Sequence, residues 1–171
     1  MVAYVTRMPA GIAGDITRFV PGTTVETVQV DATTPPPEYG LGVALDATSH
    51  AARPITTGDN AAAIYGINVR PFPTSQNNTT DTFGTATPPT TTSQVTPSSD
   101  VLKRGYIGVK LRGVTAAAKN GVVYVWAGAT GGGHQAGGIE AAAGASGIVL
   151  ANSYFMGPAD ANGFTEIAVN I

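Results

Sequence analysis

The residues most suggestive of chemistry lie in the glycine-rich run GATGGGHQAGG, residues 128–138, directly after the apolar stretch VVYVWA. Gly131, Gly133 and Ala136 satisfy the loose G-x-G-x-x-A pattern of a dinucleotide-binding turn, and they follow an apolar strand as that pattern requires. Such a turn holds pyrophosphate on the N-terminus of the helix it opens. Here Gly137, Gly138 and the following IEAAAGASG interrupt any helix within a few residues, and no alternation of strand and helix surrounds the run. A phosphate-cradling loop of the Walker type is excluded more simply, because no Lys followed by Ser or Thr is present in the run. A connection between strands is the better account of these glycines.

Other chemistry fares no better. His50 and His134 are the only imidazoles, far apart in the chain and without a carboxylate at the spacing of a metal-binding helix. Cysteine is absent, which removes disulfides, thiolate metal sites and a Cys nucleophile together. No G-x-S-x-G elbow exists, and the serines cluster in a polar stretch. None of the 11 acids sits in an aromatic-rich setting suited to holding a sugar between paired carboxylates. DANG, residues 160–163, lacks the alternating oxygen ligands of a calcium loop and reads as a turn before a strand. The sequence therefore assigns no catalytic, cofactor-binding or metal-ligating residue, and the expectation is a protein that is not an enzyme. A hydrolase would need a deep pocket holding an acid of raised pKa, for which the residues give no sign.

Composition points toward a binding role. Charged residues make up 12% of the 171 residues, against roughly 25% in ordinary soluble domains. A surface this poor in charge is the kind that faces another protein. The net charge is −2 and the 9 basic residues are dispersed, so no footprint for nucleic acid or anionic lipid emerges. No window approaches the roughly 20 apolar residues of a membrane-spanning helix. The N-terminus has no long apolar core of a signal peptide, which leads us to expect synthesis and use in a cytoplasm, or release from one by lysis.

What positions any functional surface is a set of short strands. A period of two recurs throughout: Leu41, Val43 and Leu45 share a face, as do Ile107, Val109 and Leu111. TVETVQV (24–30), AAAIYGINV (61–69), GVVYVWA (121–127), GIVLA (147–151) and FTEIAVNI (164–171) add candidates bounded by Gly, Pro, Asn or Asp. The expected fold is all-β, a single small barrel or sandwich-like domain over residues 21–171. TAAAK, residues 115–119, contributes one short helical turn at most. Residues 73–100, rich in Thr and Pro with no Lys or Arg, read as a long exposed loop. Residues 1–20 read as an extended arm, because Pro and Gly alternate there with single hydrophobics. The strand VVYVWA is apolar on both faces, so it is either central and covered on both sides or lies at a subunit interface. SYFM (153–156) poses the same choice.

Four segments together carry a family resemblance: RMPAGIAGDITR (7–18), AAIYGINVRPFPTS (62–75), VLKRGYIGVKL (101–111) and ANSYFMGPADANGFTEIAVNI (151–171). In this order they resemble the structural cement proteins of tailed bacteriophages, which decorate the capsid after the shell expands. The resemblance implies a non-enzymatic, largely β, homo-oligomeric protein (dimer or trimer) on the outer surface of the virion. It would be made in the host bacterial cytoplasm and would hold neighbouring major capsid protein subunits together. With that role, the arm supplies Met8, Ile12, Ile16 and Phe19 as apolar anchors and Arg7, Asp15 and Arg18 as charges. Trp126, Tyr154, Phe155 and Met156 complete the expected capsid or subunit interface. The alternative is a virion surface module that binds host glycans.

Overall fold

The computed structural model describes residues 12–70 and 98–171. Within them the chain forms β1 (Ile16–Arg18), β2 (Thr24–Gln29), β3 (Gly42–Leu45), β4 (Ala52–Pro54), β5 (Ile64–Val69), β6 (Ser98–Arg112), β7 (Val122–Trp126), β8 (Ile139–Glu140), β9 (Gly147–Phe155) and β10 (Phe164–Val169). The fold is all-β, as expected. Every strand predicted from periodicity is present, joined by the short β1, β4 and β8.

The architecture turns on β6, which is 15 residues long and belongs to two sheets. Its C-terminal half pairs with β10, and the order β10-β9-β7-β8 returns to β6, closing a five-stranded barrel. All of these pairings are antiparallel except β6 with β8, where Leu111 faces Ile139 in parallel. Its N-terminal half pairs with β2 on one edge and β5 on the other, and β3 and β4 extend this second sheet. A parallel bridge between Val30 and Ala52 draws the ends of that sheet toward each other. The change of sheet occurs at Gly105, whose φ of 140° is open to glycine alone. There the pairing passes from Thr24 opposite Arg104 to Val169 opposite Gly105.

One continuous core joins both sheets. Ile67 and Leu102 contribute from the second sheet, and Ile107, Val109, Val123, Val125, Ile139, Phe155 and Ile167 from the barrel, all fully buried. The period-2 reading places Ile107, Val109 and Leu111 correctly on the inner face. Outside this core, the Arg53 guanidinium donates to both Asp59 oxygens at 2.8 and 2.9 Å. That pairing holds the Asp59 carboxyl well below the usual carboxylate range.

Several expectations are corrected. Residues 98–100, assigned to the long loop, open β6: Ser98, Ser99 and Asp100 face Gln29, Val28 and Thr27. Pairing with β2 holds all three in the sheet although their side chains are polar, β5 joins the other edge at Asp100, and Ser99 Oγ donates to Asn68 Oδ1 at 2.5 Å. The remainder of the expected loop, 73–97, lies outside the described residues. The arm of residues 1–20 is part of the domain at its inner end, because Ile16–Arg18 pairs with Tyr106 and Ile107 of β6. Just before it, Gly14 N donates to Gly108 O at 2.8 Å and Gly108 N to Asp15 O at 2.9 Å. Ala61–Ala63 form a 3-10 turn capped by Asn60, whose side chain accepts from Ala62 N at 3.0 Å, before the strand that sequence began at 61. TAAAK makes no helical turn; it leads into a reversal with Asn120 at φ 61°.

Candidate functional site

The chain from residue 12 to residue 29 runs along one edge of β6 as two strands separated by a protruding turn. In that turn Val20 N donates to Thr23 Oγ1 at 3.1 Å, and Thr23 N donates to Val20 O at 2.9 Å. These two bonds close the turn from Val20 to Thr23. Phe19, directly before this turn, is 82% exposed. Ile12, also exposed, marks where the described chain begins.

Arg18 is engaged within the domain. It crosses the outer face of β6 with its guanidinium 4.9 Å from the Tyr106 ring centroid. Its Nε and Nη2 then donate to the two oxygens of Glu166 on β10 at 2.9 and 2.5 Å. Thr17 Oγ1 donates to the same carboxylate. Glu166 is 7% exposed, so this bidentate pair satisfies a buried charge. Ile16 packs against the core and Asp15 is half-buried.

The second surface lies on the barrel. Tyr124 is paired with Val149 of β9, and Val122 with Tyr154. Their side chains point outward, and Val122 and Val149 are each nearly half exposed. Within β9 the left-handed residue Asn152, at φ 50°, breaks the alternation. Leu150 and Ser153 are both buried as a result, Tyr154 turns outward and Phe155 turns inward. Phe155 is fully buried in the core, which removes it from the expected interface; Tyr154 and Met156 remain partly exposed.

The glycine run covers the adjoining part of the same outer face. Gly131 and His134 exchange backbone hydrogen bonds at 3.0 and 2.9 Å, making a tight hairpin. This brings the His134 ring onto Trp126, with centroids 4.0 Å apart and planes at 15°. His134 Nδ1 lies 2.6 Å from Glu140 Oε1, and the Glu140 side chain is 4% exposed. Trp126 Nε1 donates to Ala129 O at 3.1 Å. Gly137 closes against the second sheet: Gly42 N donates to its carbonyl at 2.7 Å, and a Cβ there would lie 2.4 Å from Gly42 O. The run leads into β8 rather than a helix, so it has no helix N-terminus to offer a phosphate. Trp126 is thus covered by the chain's own loop on one side.

His134→Ala leaves Glu140 buried without its partner and uncovers the indole. We expect a loss of about 1–3 kcal/mol and a red-shifted emission from Trp126, the single tryptophan, read by chemical denaturation followed by fluorescence.

Of the residues predicted for a binding surface, the structure brings Ile12, Asp15, Ile16, Arg18 and Phe19 together along one edge of β6. It places Trp126 and Tyr154 on the outer face of the barrel. Arg7 and Met8 lie outside the described residues. Val149, Val122 and the almost fully exposed Val114 extend the apolar surface beyond the predicted set. Val122 is legible in the outward period of β7, whereas Val149 needs the pairing itself and Val114 lies in the bend after β6. Among the described residues, no group of three His, Asp or Glu side chains is placed to hold a metal ion.

The described residues thus form an all-β domain that presents several apolar side chains to solvent. Its fold is that of a chain in a solved structure described as the capsid of Myoviridae phage XM1. The two share 20% identity at a TM-score of 0.69, over 98% of this chain and 95% of the other. No curated protein of similar sequence matches. The chain belongs to the XM1 gp53 minor capsid protein family, whose model matches residues 1–169. It is thus a capsid-associated structural protein of a bacteriophage.

Proposed function

We propose that the protein is a decoration or cement protein that binds the outer surface of the phage head and stabilises contacts between major capsid protein subunits. The observation that carries this reading is Phe19, 82% exposed on a turn fixed by two hydrogen bonds. A large apolar ring presented beside a hydrogen-bonded turn gains area when it enters an apolar pocket of a partner, as interface anchors do. Residues 1–11, with Arg7 and Met8, are assigned to the capsid contact together with Ile12. The outer-face residues Val122, Val149 and Tyr154 form a second apolar area available to a capsid subunit. Many copies on one shell add modest contacts into resistance against rupture. Assembly as a homo-oligomer would multiply the number of anchors presented by each particle of cement.

Phe19→Asp places a charge where the anchor enters its pocket and touches no packing within the domain. Co-sedimentation with undecorated heads is expected to fall at least about tenfold, with the melting temperature unchanged. Wild-type binding by this variant would remove Phe19 from the contact and with it the main support for the reading.

A further inference from the structure

We infer that Phe19 of one copy of this chain enters the cavity beside Val114 of a second copy, so that the protein associates with itself as knob into hole. The inference rests on the proposed homo-oligomeric decoration role and names the partner of Phe19 as a neighbouring copy.

The hole is built by two bends at one end of the barrel. Val114 and Thr115 follow β6, and Ala141, Ala142 and Gly144 follow β8; with the His134 ring they line a cavity of about 120 Å³ that opens to solvent. That size suits one phenyl ring, since a closed apolar cavity of about 150 Å³ takes up benzene. Small residues keep the space free, and at Gly144 even a Cβ would lie 3.1 Å from Trp126 Cζ3. The charged groups in the lining are engaged within the chain. Arg112 Nη2 donates to Glu38, and Glu140 Oε1 lies 2.6 Å from His134 Nδ1. Val114 is 99% exposed and offers its whole side chain to an incoming apolar group.

The knob is Phe19. Among the described residues no other aromatic side chain falls in the exposed class. It cannot fill the cavity of its own copy. Its neighbour Arg18 lies opposite Tyr106, whereas the cavity begins at Arg112, six residues further along the extended β6. At about 3.3 Å per residue that is about 20 Å, well beyond the reach of a phenylalanine side chain. Ring and cavity are therefore both left to other molecules. A chain that carries an apolar knob and a hole of matching size on separate parts of its surface joins to further copies through them, each copy giving one ring and taking one.

The two halves of the contact can be tested separately. The natural chain has no cysteine, so a Phe19→Cys protein and a Val114→Cys protein each carry one thiol. Mixed and treated with a short bis-maleimide, they are expected to give a covalent heterodimer, while neither protein alone cross-links efficiently. In sedimentation velocity the unmodified chain should self-associate. Phe19→Asp removes the knob and Ala142→Phe fills the hole, and each should weaken self-association at least about tenfold. Mixing these two variants should restore association, because the first keeps its cavity and the second keeps its ring. Phe19 is exposed and Ala142 half-exposed, so melting temperatures should stay within about 2 °C of the parent. A chain that sediments as a monomer, or cross-linking no better in the mixture than in the single proteins, overturns the inference. Head binding without the cross-link sinks this contact and leaves the decoration role standing; the cross-link without head binding does the reverse.

Discussion

Removing residues 2–11 is expected to abolish co-sedimentation with undecorated heads while leaving the cooperative melting transition in place. The deletion stops before Gly14, Asp15 and Ile16–Arg18, which hydrogen bond to β6 and belong to the domain. It removes Arg7 and Met8, two groups assigned to the capsid contact. Extending the deletion to residue 18 is a different experiment. It strips β1 from β6 and takes both Thr17 and Arg18 from Glu166, which is 7% exposed. A buried carboxylate left without its guanidinium costs about 3–5 kcal/mol in a fully enclosed site; with Arg18 half exposed, about 1–3 kcal/mol is the expected loss. Loss of binding by the longer deletion would therefore reflect damage to the barrel as much as loss of an anchor. Full head binding by the shorter one would show that the arm is dispensable.

Phe155→Ala should destabilise the fold by about 3–5 kcal/mol, the cost of emptying a large buried site that neighbouring groups cannot refill. Phe155 is fully buried among the core residues of the barrel, so no collapse from solvent can compensate. The adjacent Tyr154→Ala removes a partly exposed ring and should cost less than about 1 kcal/mol. Urea denaturation of the two variants checks the contrast directly. Equal, small losses would place Phe155 on the surface and contradict the inward turn at Asn152.

The barrel was legible because inner faces advertise themselves: Ile107 and Val109 alternate with polar or small residues, and both are fully buried while Tyr106 and Lys110 are not. Alternation failed in β9, where Asn152 inserts one left-handed residue and exchanges the two faces beyond it. Sequence reading consequently grouped Tyr154, Phe155 and Met156 as one surface. Polarity also misled at Ser98–Asp100, since their backbone ladder with β2, joined by β5 at Asp100, needs no apolar side chains to persist. β1, β4 and β8 are two or three residues long, too short for any period to register. Phe19 was singled out as one of the few large apolar groups of the arm, and the structure leaves it in solvent. The stack of Trp126 on His134, with Glu140 beneath, was hidden because it needs the hairpin to fold back across the strand. Its sequence trace is a histidine between three glycines and a buried acid, which reads as loop until the pairing is known.

β6 is one unbroken length of backbone shared by both sheets. A pull applied at the β2 edge and resisted at the barrel wall would load that length along its own axis, setting its flanking ladders of hydrogen bonds in shear. Bonds loaded together this way must yield together rather than peel one by one. Strain arriving from a swelling shell would accordingly meet a stiff tie instead of a hinge between two lobes.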